Sequence, residues 1–170
     1  MTTGTRPSDP KDTAAITGRR ELHFNSVDEV LADVEQLAAA DREGRLEQLG
    51  NWTLGQNLHH LSSWVDYSYS GSPLTPPLWL KLILKLMKKK FLYGRMRAGV
   101  RIPKVDGGTI AYDKISSEEG VARYRNSLER LRNEAPTKPN SIFGPMTHDE
   151  WIQGSLRHAE LHLSFLKPRP

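Results

Sequence analysis

Four times along this chain a Ser or Thr stands three residues ahead of a Glu or Gln, and each time a run of apolar residues at helical spacing follows: Ser26 with Glu29, Thr53 with Gln56, Ser116 with Glu119, and Thr147 with Glu150. Such pairs are helix-start signals, because the hydroxyl and the longer side chain each satisfy a backbone N–H that the first turn leaves without a partner. After Ser26, Val27, Val30, Leu31, Val34, Leu37 and Ala38 form one apolar stripe, which predicts a helix to about Ala40. The second helix starts behind Asn51-Trp52 and runs to Gly71, ahead of Pro73, Pro76 and Pro77, so it carries both His59 and His60. The third stripe, Val121, Tyr124, Leu128 and Leu131, ends near Arg132-Asn133 before Pro136 and Pro139. The last helix is expected from Thr147 through Trp151 to about Leu166, where Pro168 stops it. No strand alternation and no internal repeat competes with these helices. The expectation is an all-α chain.

At 170 residues one domain with a real hydrophobic core is expected. The first twenty residues, MTTGTRPSDPKDTAAITGRR, are polar and without apolar periodicity, and read as a disordered tail ahead of a domain at 21–170. Arg19-Arg20 resembles the pair of a twin-arginine export signal, but ELHFNSVDEV follows where about 7–15 apolar residues are needed. No run reaches the roughly 18–20 apolar residues of a membrane span. A soluble, cytoplasmic protein is expected. With no Cys in the chain, disulfides, thiolate ligands and a cysteine nucleophile are excluded, and any metal must use His, Asp or Glu.

The formal charge of +4 hides a polarised distribution. Between Asp66 and Asp106 there is no acidic residue, while Lys81, Lys85, Lys88, Lys89, Lys90, Arg95, Arg97, Arg101 and Lys104 are basic. Within this stretch the segment from Leu78 to about Arg97 interleaves Leu, Ile, Met and Trp with lysines and predicts an inserted basic helix. One reading is a helix that packs partly on the domain while its lysines stay wet; the other is an element that docks an anionic membrane surface or a partner. Arg101 to Ile115, with Pro103 and Gly107-Gly108, reads as a loop. Sequence-specific nucleic-acid binding is not expected, because the lysines alternate with Leu and Ile and no stacking platform accompanies them.

Two histidines carry the chemistry. His158 and His162 are one helical turn apart and project on one face, in line with Trp151 and Ser155. That spacing lets two imidazoles grip one ion, and burying them on the stripe without partners would be costly. The zinc-protease helix signature does not apply, because it needs a Glu directly after the first His. Here Glu160 falls about 160–200° from both imidazoles and is expected at the surface rather than as a base. Ser155 lies on the correct face to reach a metal-bound water.

The run from Asn51-Trp52-Thr53 through Asn57, His59, His60 and Leu61 resembles the Trp-Ser/Thr-x(6)-His-Leu element of the DinB-like helix-bundle superfamily. The run from Phe143-Gly144-Pro145 to Trp151, followed by His158-Ala159-Glu160-Leu161-His162-Leu163 and Phe165, resembles the branch called domain of unknown function 1569. Together these cover roughly residues 22–167. The resemblance implies a DinB-like four-helix bundle with one inserted basic helix. It also implies a three-His metal site formed by His60, His158 and His162, with His60 preferred to His59 because the ligand directly precedes Leu. In that branch the element before Phe-Gly is often His-Pro, whereas this chain has Asn140-Ser141-Ile142. Members of the superfamily include thiol-dependent transferases and isomerases. The implied function is a metal-dependent enzyme, a thiol-dependent transferase or a hydrolase, acting on a small molecule. Zinc is the default ion, with nickel or iron equally suited to three imidazoles. Asn57, Trp64, Tyr67 and Ser155 are the expected pocket lining. A homodimer and a non-catalytic protein that docks through its basic helix remain open alternatives.

Overall fold

The computed structural model describes residues 10–73, 76–100 and 115–170. Among them are six helices: α1 (Val27–Arg42), α2 (Leu54–Ser70), α3 (Leu78–Leu86), α4 (Lys88–Tyr93), α5 (Ser117–Asn133) and α6 (His148–Leu163). Two three-residue strands, β1 (Leu46–Gln48) and β2 (Leu166–Pro168), complete the order. The chain is mostly helical.

The four hydroxyl caps start the helices where the sequence placed them. Thr53 and Thr147 close full capping boxes with Gln56 and Glu150, and Ser116 accepts from the Glu119 N–H. At α1 the box is displaced: Ser26 accepts from the Glu29 N–H, but the Glu29 carboxylate takes the N–H of Asn25, one residue earlier than expected. Val30, Val34 and Leu37 of α1, Leu54, Leu58 and Leu61 of α2, Leu128 and Leu131 of α5, and Trp151, Leu156 and Leu163 of α6 are buried in one cluster. α2 and α5 approach most closely where both carry glycine. A Cβ on Gly55 would lie 2.4 Å from the Ile115 carbonyl oxygen, and one on Gly120 would lie 3.0 Å from Gly55 Cα. Only a residue without a side chain fits there.

The structure corrects three expectations. The last helix stops at Leu163 with Ser164 as its cap, and the residues after it form β2, antiparallel to β1 with Leu46 opposite Pro168 and Gln48 opposite Leu166. Strands of three residues are too short to show an alternation, so the pattern that signals a strand was absent. The inserted helix expected over 78–97 is two helices, interrupted at Met87 and ended at Tyr93. Beyond the interruption the chain is drawn onto α6: Leu92 is buried against Gly154, and the Lys88 ammonium donates to Glu150 at 2.7 Å and to the Pro145 carbonyl at 3.2 Å. Finally, the boundary expected at residue 20 is crossed by contacts. Arg20 forms a two-pronged ion pair with Asp33, Arg19 donates to Ser164 Oγ and the Leu161 carbonyl, and Lys11 exchanges backbone hydrogen bonds with the Asn51 side chain. Residues 1–9, and positions 101–114 of the loop expected over 101–115, lie outside the described residues.

Candidate metal centre

α2 and α6 pack side by side, and each turns histidine toward the other. On α2, Asn57, His60, Trp64 and Tyr67 recur at intervals of three and four and so share one face. On α6 the same spacing aligns Trp151, Ser155, His158 and His162. The two faces bring His60, His158 and His162 together, with ligand nitrogens all within 4.8 Å of one another. His60 Nε2 lies 3.2 Å from His158 Nε2, and ring centroids are 5.0 Å apart for His60 and His158, 4.5 Å for His60 and His162, and 4.7 Å for His158 and His162. Tetrahedral zinc with bonds of roughly 2.0–2.1 Å spaces its nitrogen ligands about 3.3 Å apart. The His60–His158 pair stands at that spacing, and the ligand nitrogen of His162 lies within 4.8 Å of both.

Tryptophans hold the rings. Trp52, just ahead of the α2 cap, stacks on His162 with centroids 5.5 Å apart and planes 7° from parallel, and leans on His60 at 5.0 Å. Trp64 meets His158 edge-on at 5.0 Å. Asn57 fixes Trp52 in turn, since its side-chain amide donates to the carbonyls of Trp52 (3.2 Å) and Thr53 (2.9 Å). Burial, and then the neighbouring His60, lowers the pKa of His158 well below the usual histidine value. His162 is lowered likewise by burial, then by His60, His158 and Arg19. Both are therefore neutral at pH 7, the form that offers a lone pair to a metal.

The cluster forms the floor of a cavity of about 570 Å³. Its walls are largely aromatic and apolar: Trp52, Trp64, Tyr67, Phe91, Ile142, Phe143, Leu161 and Phe165. Lys11, Asp12 and Arg97 supply charge. Of the expected lining residues, Asn57, Trp64 and Tyr67 line this space. Ser155 does not; it is buried on the same face of α6 without reaching the lining. Ser155 Oγ and His158 Nδ1 have no hydrogen-bond partner among the described residues, whereas a ligating imidazole usually donates its second N–H to an acceptor.

Sequence reasoning assigned no role to Trp52, to the segment around Lys11, or to Phe91 and Phe143, whose rings meet 5.4 Å apart at the cavity wall. Trp52 lay inside the Trp-Thr motif and could have been found by asking what its ring covers. Glu160 is a correction: instead of standing at the surface it is buried, paired with Arg157 at 2.9 Å and accepting the Phe24 N–H at 2.6 Å. Arg157 also reaches His23 Nδ1 at 2.8 Å and the Phe24 carbonyl. The segment before α1 runs along the back of α6 and covers it. Glu160 does point away from the imidazoles, as its position on the helix requires. His59 is outside the cluster, with Arg123, Glu119 and Asp66 as its charged neighbours.

The match to known families is now decisive. The model of the family described as protein of unknown function (DUF1569) matches residues 16–169. The chain belongs to the DUF1569 family. No curated protein and no solved structure matches it significantly. In this DUF1569 chain the turn ahead of Phe143-Gly144 is built by Asn140. Its Oδ1 accepts the N–H groups of Ile142 and Phe143 and its backbone pairs with Gly144, which takes a left-handed φ of 76°.

Proposed function

We propose that the chain is a metal-dependent enzyme of DinB-like architecture, in which α1, α2, α5 and α6 are the four bundle helices and α3–α4 the insert. His60, His158 and His162 would hold one divalent ion, zinc by default and nickel or iron with the same donors. The observation that carries this reading is the meeting of three imidazoles from two helices at the floor of an apolar cavity. The donor set fits: two of the rings are held neutral, and no carboxylate among the described residues joins the cluster. Structural zinc sites are closed by four protein ligands, whereas three ligands leave a position for water or substrate. A bound ion there would supply Lewis acidity and lower the pKa of a water or substrate heteroatom.

The chain's own residues define what such a substrate must be. Trp52, Trp64 and Phe143 exclude water and favour an apolar or aromatic body, while Lys11 and Arg97 suit a negative group. Asp12, the one carboxylate of the lining among the described residues, spends one oxygen on the Ala14 N–H. A thiol-dependent transferase or a hydrolase that needs no separate carboxylate base is the class this lining supports. A small-molecule substrate and a cytoplasmic setting accompany that reading.

Elemental analysis of protein purified without an affinity tag tests the proposal. It should show about one divalent ion per chain, with His158→Ala and His162→Ala each strongly depleted because each removes one of three ligands. Full metal content in either variant, with the fold intact by circular dichroism, would overturn the site. Activity of the metal-loaded protein on thiol-transfer and ester substrates, lost on chelation, would extend it from metal binding to catalysis.

A further inference from the structure

α3 is more apolar than any other helix here and buries nothing. At about 100° per residue, Leu78, Leu82, Leu86, Trp79 and Ile83 occupy one continuous arc of about 140°. All five are exposed, at 83%, 64%, 82%, 63% and 48%. Leu80 and Leu84 fall on the other side of the helix and are half-buried. Lys81 and Lys85 fall between these two faces, at one margin of the exposed arc. The following helix adds Lys89 and Lys90, both exposed. None of these four lysines is paired with a carboxylate among the described residues.

An exposed face of this kind needs an occupant. A second copy fits poorly, because it brings no counter-charge: an antiparallel two-fold pairing sets the lysine margin against lysines, and a parallel one sets it against the apolar edge of Ile83 and Leu80. A spanning helix is excluded for α3, since no helix among the described residues is long and apolar enough to cross a membrane. From the apolar arc and its unpaired lysine margin we infer that α3 lies in the surface of an anionic lipid bilayer, with Leu78, Trp79, Leu82, Ile83 and Leu86 in the acyl boundary and the lysines at the headgroups. Helices with Trp and Leu on one face and Lys beside it bind in this way, their stems along the apolar layer and their ammonium groups in the anionic one. This inference is independent of the metal site, and neither depends on the other.

The test is co-sedimentation of the full chain with phosphatidylcholine vesicles, pure or containing about one-third phosphatidylserine. The account expects binding to the mixed vesicles at least tenfold stronger than to the neutral ones, weakening as salt rises. Leu82→Ser/Leu86→Ser should bind at least tenfold more weakly, and Lys81→Ala/Lys85→Ala about twenty-five-fold more weakly, each lysine contributing about fivefold. Both variants should keep the wild-type circular dichroism and Tm, because Leu82, Leu86 and Lys85 are exposed and Lys81 is only partly covered. Absence of binding to the mixed vesicles, equal binding to both vesicle types, or unchanged binding of either double variant would overturn the inference. So would a dimer in sedimentation analysis that the leucine variant abolishes, since the face would then belong to a second copy.

Discussion

α6 and α3 invert the usual relation between composition and burial. α6 carries Arg157, Glu160 and three histidines and buries nine of its 16 residues; α3 carries six Leu, Ile or Trp residues in its first seven and buries none. What decides is what lies across from each helix. α6 meets α2 on one side, α4 on another, and the segment before α1 on a third, so even its charged residues are enclosed and must be paired. Among the described elements α3 chiefly meets the helix that continues it, α4. The difference separates two kinds of surface, one made for a buried site and one left for something outside the chain.

Breaking the enclosure of α6 should have the largest effect. Glu160→Ala leaves the Arg157 guanidinium buried with no carboxylate, and loss of one partner of such a pair costs about 3–5 kcal/mol. Urea unfolding checks it; a cost near zero would mean that Arg157 finds water. A slightly smaller loss, about 2–5 kcal/mol, is expected for Leu156→Ala, whose side chain is fully buried. The matched change on α3, Leu86→Ala, should stay within about 0.5 kcal/mol. If the two leucines proved equally costly, the contrast between the helices would be false. Between these extremes, Gly55→Ala should cost about 1–3 kcal/mol by driving α2 away from the Ile115 carbonyl.

The gentlest probe of the enclosure is pH. His158 and His162 are held neutral by burial, so their pKa values in the native state lie below the ordinary value near 6.5 that unfolded chains show. Below about pH 6.5 the unfolded state then binds protons that the native state does not, and stability falls with falling pH. In the metal-free protein the slope should reach at most about 1.4 kcal/mol per pH unit for each histidine. Replacing His158 by Asn should flatten it, as urea midpoints across the range would show.

Helix starts were legible in the sequence because a capping box is a local device: Thr53 with Gln56 and Thr147 with Glu150 need only their own turn. The pairing of His158 with His162 was legible for the same reason, as a consequence of helical pitch. His60 was not, since nothing in the spacing of α2 distinguishes it from His59 in its relation to α6. That choice came from resemblance, and the structure brings His60 to the cluster. Glu160 shows the limit of single-helix reasoning. The wheel said correctly that it opposes the imidazoles, but burial depended on Phe24, which is 136 positions away. β1 and β2 were missed because their pairing is a long-range fact with no local signature, and the exposure of α3 because apolar content does not say whether a neighbour exists.

The central claim is that His60, and not the adjacent His59, completes the site with His158 and His162. Consecutive residues diverge by about 100°, so one of the two must be outside it. Competition with a chromophoric chelator at a single pH measures the metal affinity of His60→Ala and His59→Ala beside the parent protein. The account predicts that His60→Ala impairs binding as severely as His158→Ala, and that His59→Ala changes affinity by less than about tenfold. Severe loss in His59→Ala with near-parental affinity in His60→Ala would contradict the assignment, and parental affinity in both would contradict the three-histidine site itself.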